Sequence, residues 1–123
     1  MPSPPDHADC LFCQLVADGD HVASGDGFVA VRDINPIADT HLLVLPQRHV
    51  DTFRDVGAFP DDEAGRMLRF VAETAKAAGL EDYRVLVNVG PGGGQTVFHL
   101  HWHVLGGRFD GSRIAKALAA EGA

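Results

Sequence analysis

The sequence has little that would take it out of water. No apolar run approaches the roughly 20 residues that span a bilayer. The opening Met1-Pro-Ser-Pro-Pro-Asp-His-Ala-Asp has neither a basic start nor an apolar stretch, so it does not read as a secretory signal. Cysteine is scarce: Cys10 and Cys13 are too few and too close together for a disulfide framework. The expectation is a soluble, cytoplasmic protein that crosses no membrane. Positive charge is also in short supply, with 10 Lys and Arg against 17 Asp and Glu and a net charge of −7. That excludes a non-specific nucleic-acid binder, which needs a basic face. An acidic chain can still hold a nucleotide if local donors meet its phosphates. Internal repeats and linkers are missing too.

What is present is one domain's worth of chain. The 123 residues are 46% apolar, enough for a single core. Residues 1–9 read as a disordered lead-in, because proline blocks helix and ladder hydrogen bonds. Cys10 to Val16 is a short apolar stretch of helical or turn character. Gly27 to Asp33 is a strand candidate stopped by Asn35-Pro36. Thr40 to Pro46, nearly continuous in apolar residues, is a second and central one. From Asp61 to Ala78, the apolar Ala64, Met67, Leu68, Val71, Ala75 and Ala78 recur with helical spacing. Asp61, Asp62 and Glu63 suit the positive end of that helix, and Gly79 its termination. Tyr83 to Val89 reads as a strand, Gly90 to Thr96 as a loop, and Val97 to Leu105 as a strand ended by Gly106-Gly107. Ser112 to Ala120 is a short terminal helix within a tail at 110–123. The order predicts an α+β fold, with a mostly antiparallel sheet, one long helix and short terminal helices.

The chemistry concentrates in Phe98-His-Leu-His-Trp-His-Val-Leu. On an extended strand alternate side chains share a face. This places His99, His101 and His103 on one side, with Leu100, Trp102 and Val104 in the core behind them. Trp102 is large for that inward position and is read alternatively as part of a dimer face. Three imidazoles are costly to bury without partners, so a packing role explains them poorly. Two readings stay open on spacing alone: a catalytic row, or a metal site built on His-x-His. The loop just before them, Gly90-Pro-Gly-Gly-Gly-Gln-Thr, lets the backbone approach a ligand and turn N–H groups toward an anion. Loop and histidines together favour a phosphate site.

This set resembles the histidine triad (HIT) family of nucleotide hydrolases and transferases. The resemblance rests on His99-Leu-His-Trp-His-Val-Leu together with Cys10-Leu-Phe-Cys, Val31-Arg-Asp-Ile-Asn-Pro and Thr40-His-Leu-Leu-Val-Leu-Pro-Gln-Arg-His. Tyr83-Arg-Val-Leu-Val-Asn and Gly93-Gly-Gln-Thr extend it over residues 10–109, taken as the domain. The ending Leu105-Gly106-Gly107-Arg108 is similar to the nucleoside phosphoramidase, or Hint-like, branch. The resemblance implies a purine nucleotide site in a homodimer, with hydrolysis of nucleoside 5′-phosphoramidates or related conjugates. It implies His101 as the nucleophile that becomes nucleotidylated, and His103 as a donor to phosphate. Asn88, Gly94, Gln95 and Thr96 complete the phosphate cradle, Asp33 accepts from the ribose, and Leu11, Phe12, Leu15, Val31 and Ile34 enclose the base. Alternatives are a nucleotide-binding regulator with incidental hydrolysis, and a phosphohydrolase in which a triad-bound metal activates water.

Cys10-x-x-Cys13 with two later histidines fits a tetrahedral structural zinc site. The resemblance implies His49 and His99 as its partners; His7, His21 and His41 are other candidates. On that assignment His99 moves from the catalytic row to a brace that orients His101. The sequence departs from the family pattern at 17–25, which lack a common Ile-Pro, at Thr96, which replaces a common serine, and beyond Arg108.

Overall fold

The structure, a computed structural model, describes residues 10–109. The expected lead-in at 1–9, and the tail at 110–123 with its helix at Ser112 to Ala120, lie outside the described residues. Among the described residues, no helix is long and apolar enough to cross a membrane.

Five antiparallel strands form one sheet in the order β1-β2-β3-β5-β4. They are β1 (His21–Gly25), β2 (Phe28–Arg32), β3 (Ala38–Pro46), β4 (Tyr83–Leu86) and β5 (Trp102–Phe109). Helix α1 (Leu11–Asp18) packs on one face and α2 (Asp61–Ala77) on the other. Alternation along the strands divides the core accordingly. Phe28, Ala30, Leu42 and Val44 join Leu100, Trp102, Val104 and the α2 residues Met67, Phe70, Val71 and Ala75. Val29, Val31, Leu43 and Leu45 instead meet Phe12 and Leu15 of α1. Coverage of both faces explains why Phe28 to Val31 and Leu42 to Leu45 read as unbroken apolar runs. The α+β class and antiparallel sheet are as expected, and Trp102 belongs to the core.

Several boundaries differ from the expectation for local reasons. β1 was not foreseen, although Asp26-Gly27 is a strong hairpin signal. Asp26 and Gly27 both adopt positive φ, 56° and 92°, the requirement of a two-residue turn matched to strand twist. In α2, Phe70 is buried and Leu68 is 56% exposed, so the apolar stripe is rotated from the one expected. Gly79, at φ 81°, ends the helix. β4 stops at Leu86, short of Val89.

The largest difference is β5. It starts at Trp102 rather than Val97, and continues through Gly106-Gly107 to Phe109. Pairing begins at Val44↔Trp102 because Pro46 has no N–H to donate, and its carbonyl is taken by the His99 ring at 2.8 Å. Residues 97–101 bend away, and Leu100 N–H bonds Val50 O at 2.6 Å. At the other end the glycines allow continuation. Gly107, at φ 79°, sits at a register shift against β3, a bulge that accommodates one extra residue.

Candidate active site

The bend at 97–101 breaks the expected single row of histidines into two groups. His99 is fully buried. Its Nε2 faces the carbonyl of Pro46, which can only accept, so Nε2 carries the proton and Nδ1 keeps a lone pair. That Nδ1 lies 3.4 Å from Cys13 Sγ and 3.6 Å from Cys10 Sγ. His49 repeats the pattern, with Nδ1 3.2 Å from Cys13 Sγ and Nε2 bonded to Asp51 Oδ1 at 2.6 Å. All four donor atoms fall within 4.8 Å of one another. Ordinary zinc–sulfur and zinc–nitrogen bonds in a tetrahedron place S and N about 3.5 Å apart, which these separations match. The outer hydrogen bonds to a carboxylate and a carbonyl are those that orient metal-bound imidazoles. Burial and the neighbouring Cys10 push the Cys13 thiol up to about 11, so only a cation at this spot would hold it as thiolate near neutral pH. The donor set fits a zinc ion.

The second group lies on the α1 face of the sheet. His103 pairs in register with Leu43 of β3, and His41 lies two residues before Leu43 on the same face. The Ile37 N–H donates to His41 Nδ1 at 3.2 Å, so the proton of the neutral ring is on Nε2. That N–H points to His103 Nδ1 at 2.9 Å, with Asp33 Oδ2 3.3 Å away. His103 Nδ1 therefore accepts, and the His103 proton sits on Nε2, a buried atom without a partner among the described residues. In His101 the assignment is opposite. Its Nδ1–H donates to the carbonyl of His99 at 2.7 Å, leaving the lone pair on Nε2. The two rings are 5.1 Å apart, and Phe12 stands edge-on to His101 at 4.8 Å.

Burial holds His101 below the usual imidazole range, against the opposing pull of the His99 carbonyl and Asp33. His103 is pushed down to about 4 by burial first, then by His101 and His41. Both rings are neutral at physiological pH. One offers a lone pair and its neighbour an N–H, as attack on a phosphate with stabilisation of its oxygen requires. Asp33, His41 and His103 also form a three-residue group that could hold a metal ion. The Ile37 hydrogen bond leaves the needed His41 nitrogen protonated, which works against ligation.

A cavity of about 290 Å³ joins these residues to the expected nucleotide pocket. Its lining includes Leu11, Phe12, Leu15, Asp33 and Ile34, and at the reactive end Thr96, His101 and His103. Leu43 and Val97 also line it, and neither was expected. Other expected residues are placed differently. Val31 is buried beneath the pocket in the α1-side core. Asn88 and Gly94 do not line the cavity. Gln95 is turned inward as a latch, with Oε1 accepting from Gly90 N–H and Nε2 donating to the carbonyls of Asp51 and Val97. Its own N–H bonds Gly90 O, so Gln95 shapes the loop instead of facing phosphate. His41 was considered only as a metal ligand, although its odd-numbered place with Leu43 and Leu45 puts it on the active face. A larger hollow of about 400 Å³ is lined by Asp33 and His41 together with Thr74 and Ala77 of α2, but neither His101 nor His103 lines it.

Residues 14–110 match the family model of the HIT domain. The chain belongs to the HIT family. It is 40% identical over 98 residues to a purine nucleoside phosphoramidase of Escherichia coli K12, covering 78% of this chain and 82% of that one. Protein HitA of Neisseria gonorrhoeae is 40% identical over 102 residues, covering 80% and 95%. Among solved structures, a HIT family hydrolase from Legionella pneumophila superposes with a TM-score of 0.70 at 39% identity, covering 80% and 93%. Membership in the HIT family confirms the resemblance drawn from the histidine motif and its surroundings.

Proposed function

We propose that this HIT protein hydrolyses purine nucleoside 5′-phosphoramidates, or related nucleotidyl conjugates, through a nucleotidyl-His101 intermediate. The observation that carries this is the pairing of adjacent rings with different partners: His101 spends Nδ1 on the His99 carbonyl and His103 spends Nδ1 on His41, which assigns a lone pair to His101 Nε2 and a proton to His103 Nε2, with both rings lining one cavity. The kinship to a purine nucleoside phosphoramidase supports the substrate class. His101 Nε2 attacks the α-phosphorus, and the P–N bond breaks. The amine departs with a proton from solvent. Water then attacks phosphorus and returns His101 to its neutral state, giving a nucleoside monophosphate and a free amine. His103 Nε2–H bonds a phosphoryl oxygen as charge gathers there, and the His41 proton keeps that donor in the required tautomer. Phe12, Leu15 and Ile34 enclose the base, and Asp33 accepts from the ribose.

A structural zinc ion held by Cys10, Cys13, His49 and His99 is part of this reading. With four protein ligands the centre has no open position for substrate, so its chemistry is to tie α1 to the segment before β5. A homodimer is the proposed assembly. Edge strand β4 leaves Tyr83 and Val85 open, and α2 leaves Leu68 open, as surfaces for a second copy; sedimentation tests this. The function itself is tested by trapping the protein with an adenosine phosphoramidate and reading the mass of the His101 peptide. A nucleotidyl adduct on His101 is expected. Undiminished hydrolysis by His101→Ala would sink the proposal, and tight AMP binding with negligible turnover would make the protein a binder instead.

A further inference from the structure

The cavity holding the nucleoside has a neighbour. A groove of about 430 Å³ lies across the Thr96–Val97 wall, and Leu11, Thr96 and Val97 line both spaces. On its far side the groove adds Phe98 and Asp51, with Cys10 and His49 at its base. Phe98 and Leu11 are 39% and 51% exposed, large apolar side chains left open beside a reactive centre. The Asp51 side chain is also open, with its Oδ1 bonded to His49 Nε2. With zinc held by two thiolates and two neutral imidazoles the metal centre would carry no net charge, which leaves Asp51 as the acidic side chain lining this groove.

We infer that the groove is the leaving-group subsite, and that it selects an amine with an aromatic body and a cationic far end. The inference rests on the hydrolase reading above and specifies its substrate. In-line displacement puts the entering and departing atoms on opposite sides of phosphorus. With the nucleoside in the cavity beside His101, the departing nitrogen leaves away from that ring. Thr96, common to both spaces, sits where the phosphate passes between them. The body of the amine then meets Leu11, Val97 and Phe98, and an aromatic ring gains most from an edge or offset contact with Phe98. A positive group beyond the ring meets Asp51, whereas an anionic one is repelled.

The test compares three adenosine 5′-phosphoramidates: unsubstituted, with phenethylamine as leaving group, and with a phenethylamine bearing a remote aminomethyl group. Phe98→Ala is expected to lower kcat/KM about tenfold on both aryl conjugates, leaving the unsubstituted substrate unchanged; Phe98→Leu falls between. The aminomethyl compound is expected to outrun its neutral parent several-fold at low salt, with the gap closing at high salt. An equal effect of Phe98→Ala on all three substrates, or none on any, overturns the subsite while hydrolysis stands. Absence of a low-salt advantage for the cationic compound overturns the role of Asp51. If wild-type protein turns over none of the three, the hydrolase reading fails and the subsite with it.

Discussion

The Cys10/Cys13/His49/His99 group and the His41/His101/His103 group use the same side chain in opposite ways. In the first, Nε2 is spent on Pro46 O or Asp51, and Nδ1 is turned to the thiols. In the second, Nδ1 of His101 and His103 is spent on a carbonyl and an imidazole, which leaves Nε2 for substrate. What separates brace from catalyst is therefore which ring nitrogen the surrounding protein claims, through a carbonyl for His99 and His101 and through a side chain for His49 and His103. His99 belongs to both groups, because its ring faces the thiols while its carbonyl fixes His101.

The largest effects should come from exchanging residues across this divide. His101→Ala is expected to lower kcat by about three orders of magnitude or more, with the thermal midpoint little changed. His99→Ala should do the reverse in order of severity, with lost stability first and lost turnover as a consequence. Melting curves and steady-state rates on both variants decide it. Equal damage to stability by the two would break the comparison.

Metal removal is the next largest. A ligand bound at about a thousand times its dissociation constant stabilises by about 4 kcal/mol, so stripping zinc should lower the melting temperature by more than about 10 °C. Elemental analysis should find one zinc per chain, lost in Cys13→Ala. A stripped protein that melts unchanged would reduce the first group to two half-buried thiols and two histidines.

Acid should then act on the second group in a particular direction. An imidazole whose pKa is lowered stays neutral to a lower pH than a free one. His103 at about 4, and His101 below its usual range, remain competent as the pH falls through 6.5. The expected kcat/KM profile is flat from pH 8 past 6.5, with its acid limb below. A limb at 6.5 or above would mean that the rings titrate as if exposed.

Much of this contrast was legible in the sequence, and the rest was hidden for definite reasons. The HIT motif, the Cys pair and the alternation of Leu100, Trp102 and Val104 into the core were visible. The bend at 97–101 was not, since it depends on Pro46 having no N–H and on a carbonyl 53 residues away in sequence being claimed by His99. Gln95 looked like a phosphate ligand because it sits in a glycine loop. Its inward turn follows from the carbonyls of Asp51 and Val97 lying within reach, which periodicity cannot reveal. His41 was readable by parity with Leu43, but its role needed the Ile37 N–H.

The smallest effect tests the same idea where no use is made of a polar atom. Thr74 on α2 is 3% exposed, and its hydroxyl has no partner among the described residues. A buried hydroxyl that bonds nothing carries its desolvation cost uncompensated. Thr74→Val keeps the branched shape and removes that cost, so stability should rise by about 1 kcal/mol with kcat unchanged, because α2 lies across the sheet from His101. Equilibrium unfolding in urea reads the difference. A loss of stability would show that the hydroxyl makes a bond in solution that offsets its burial.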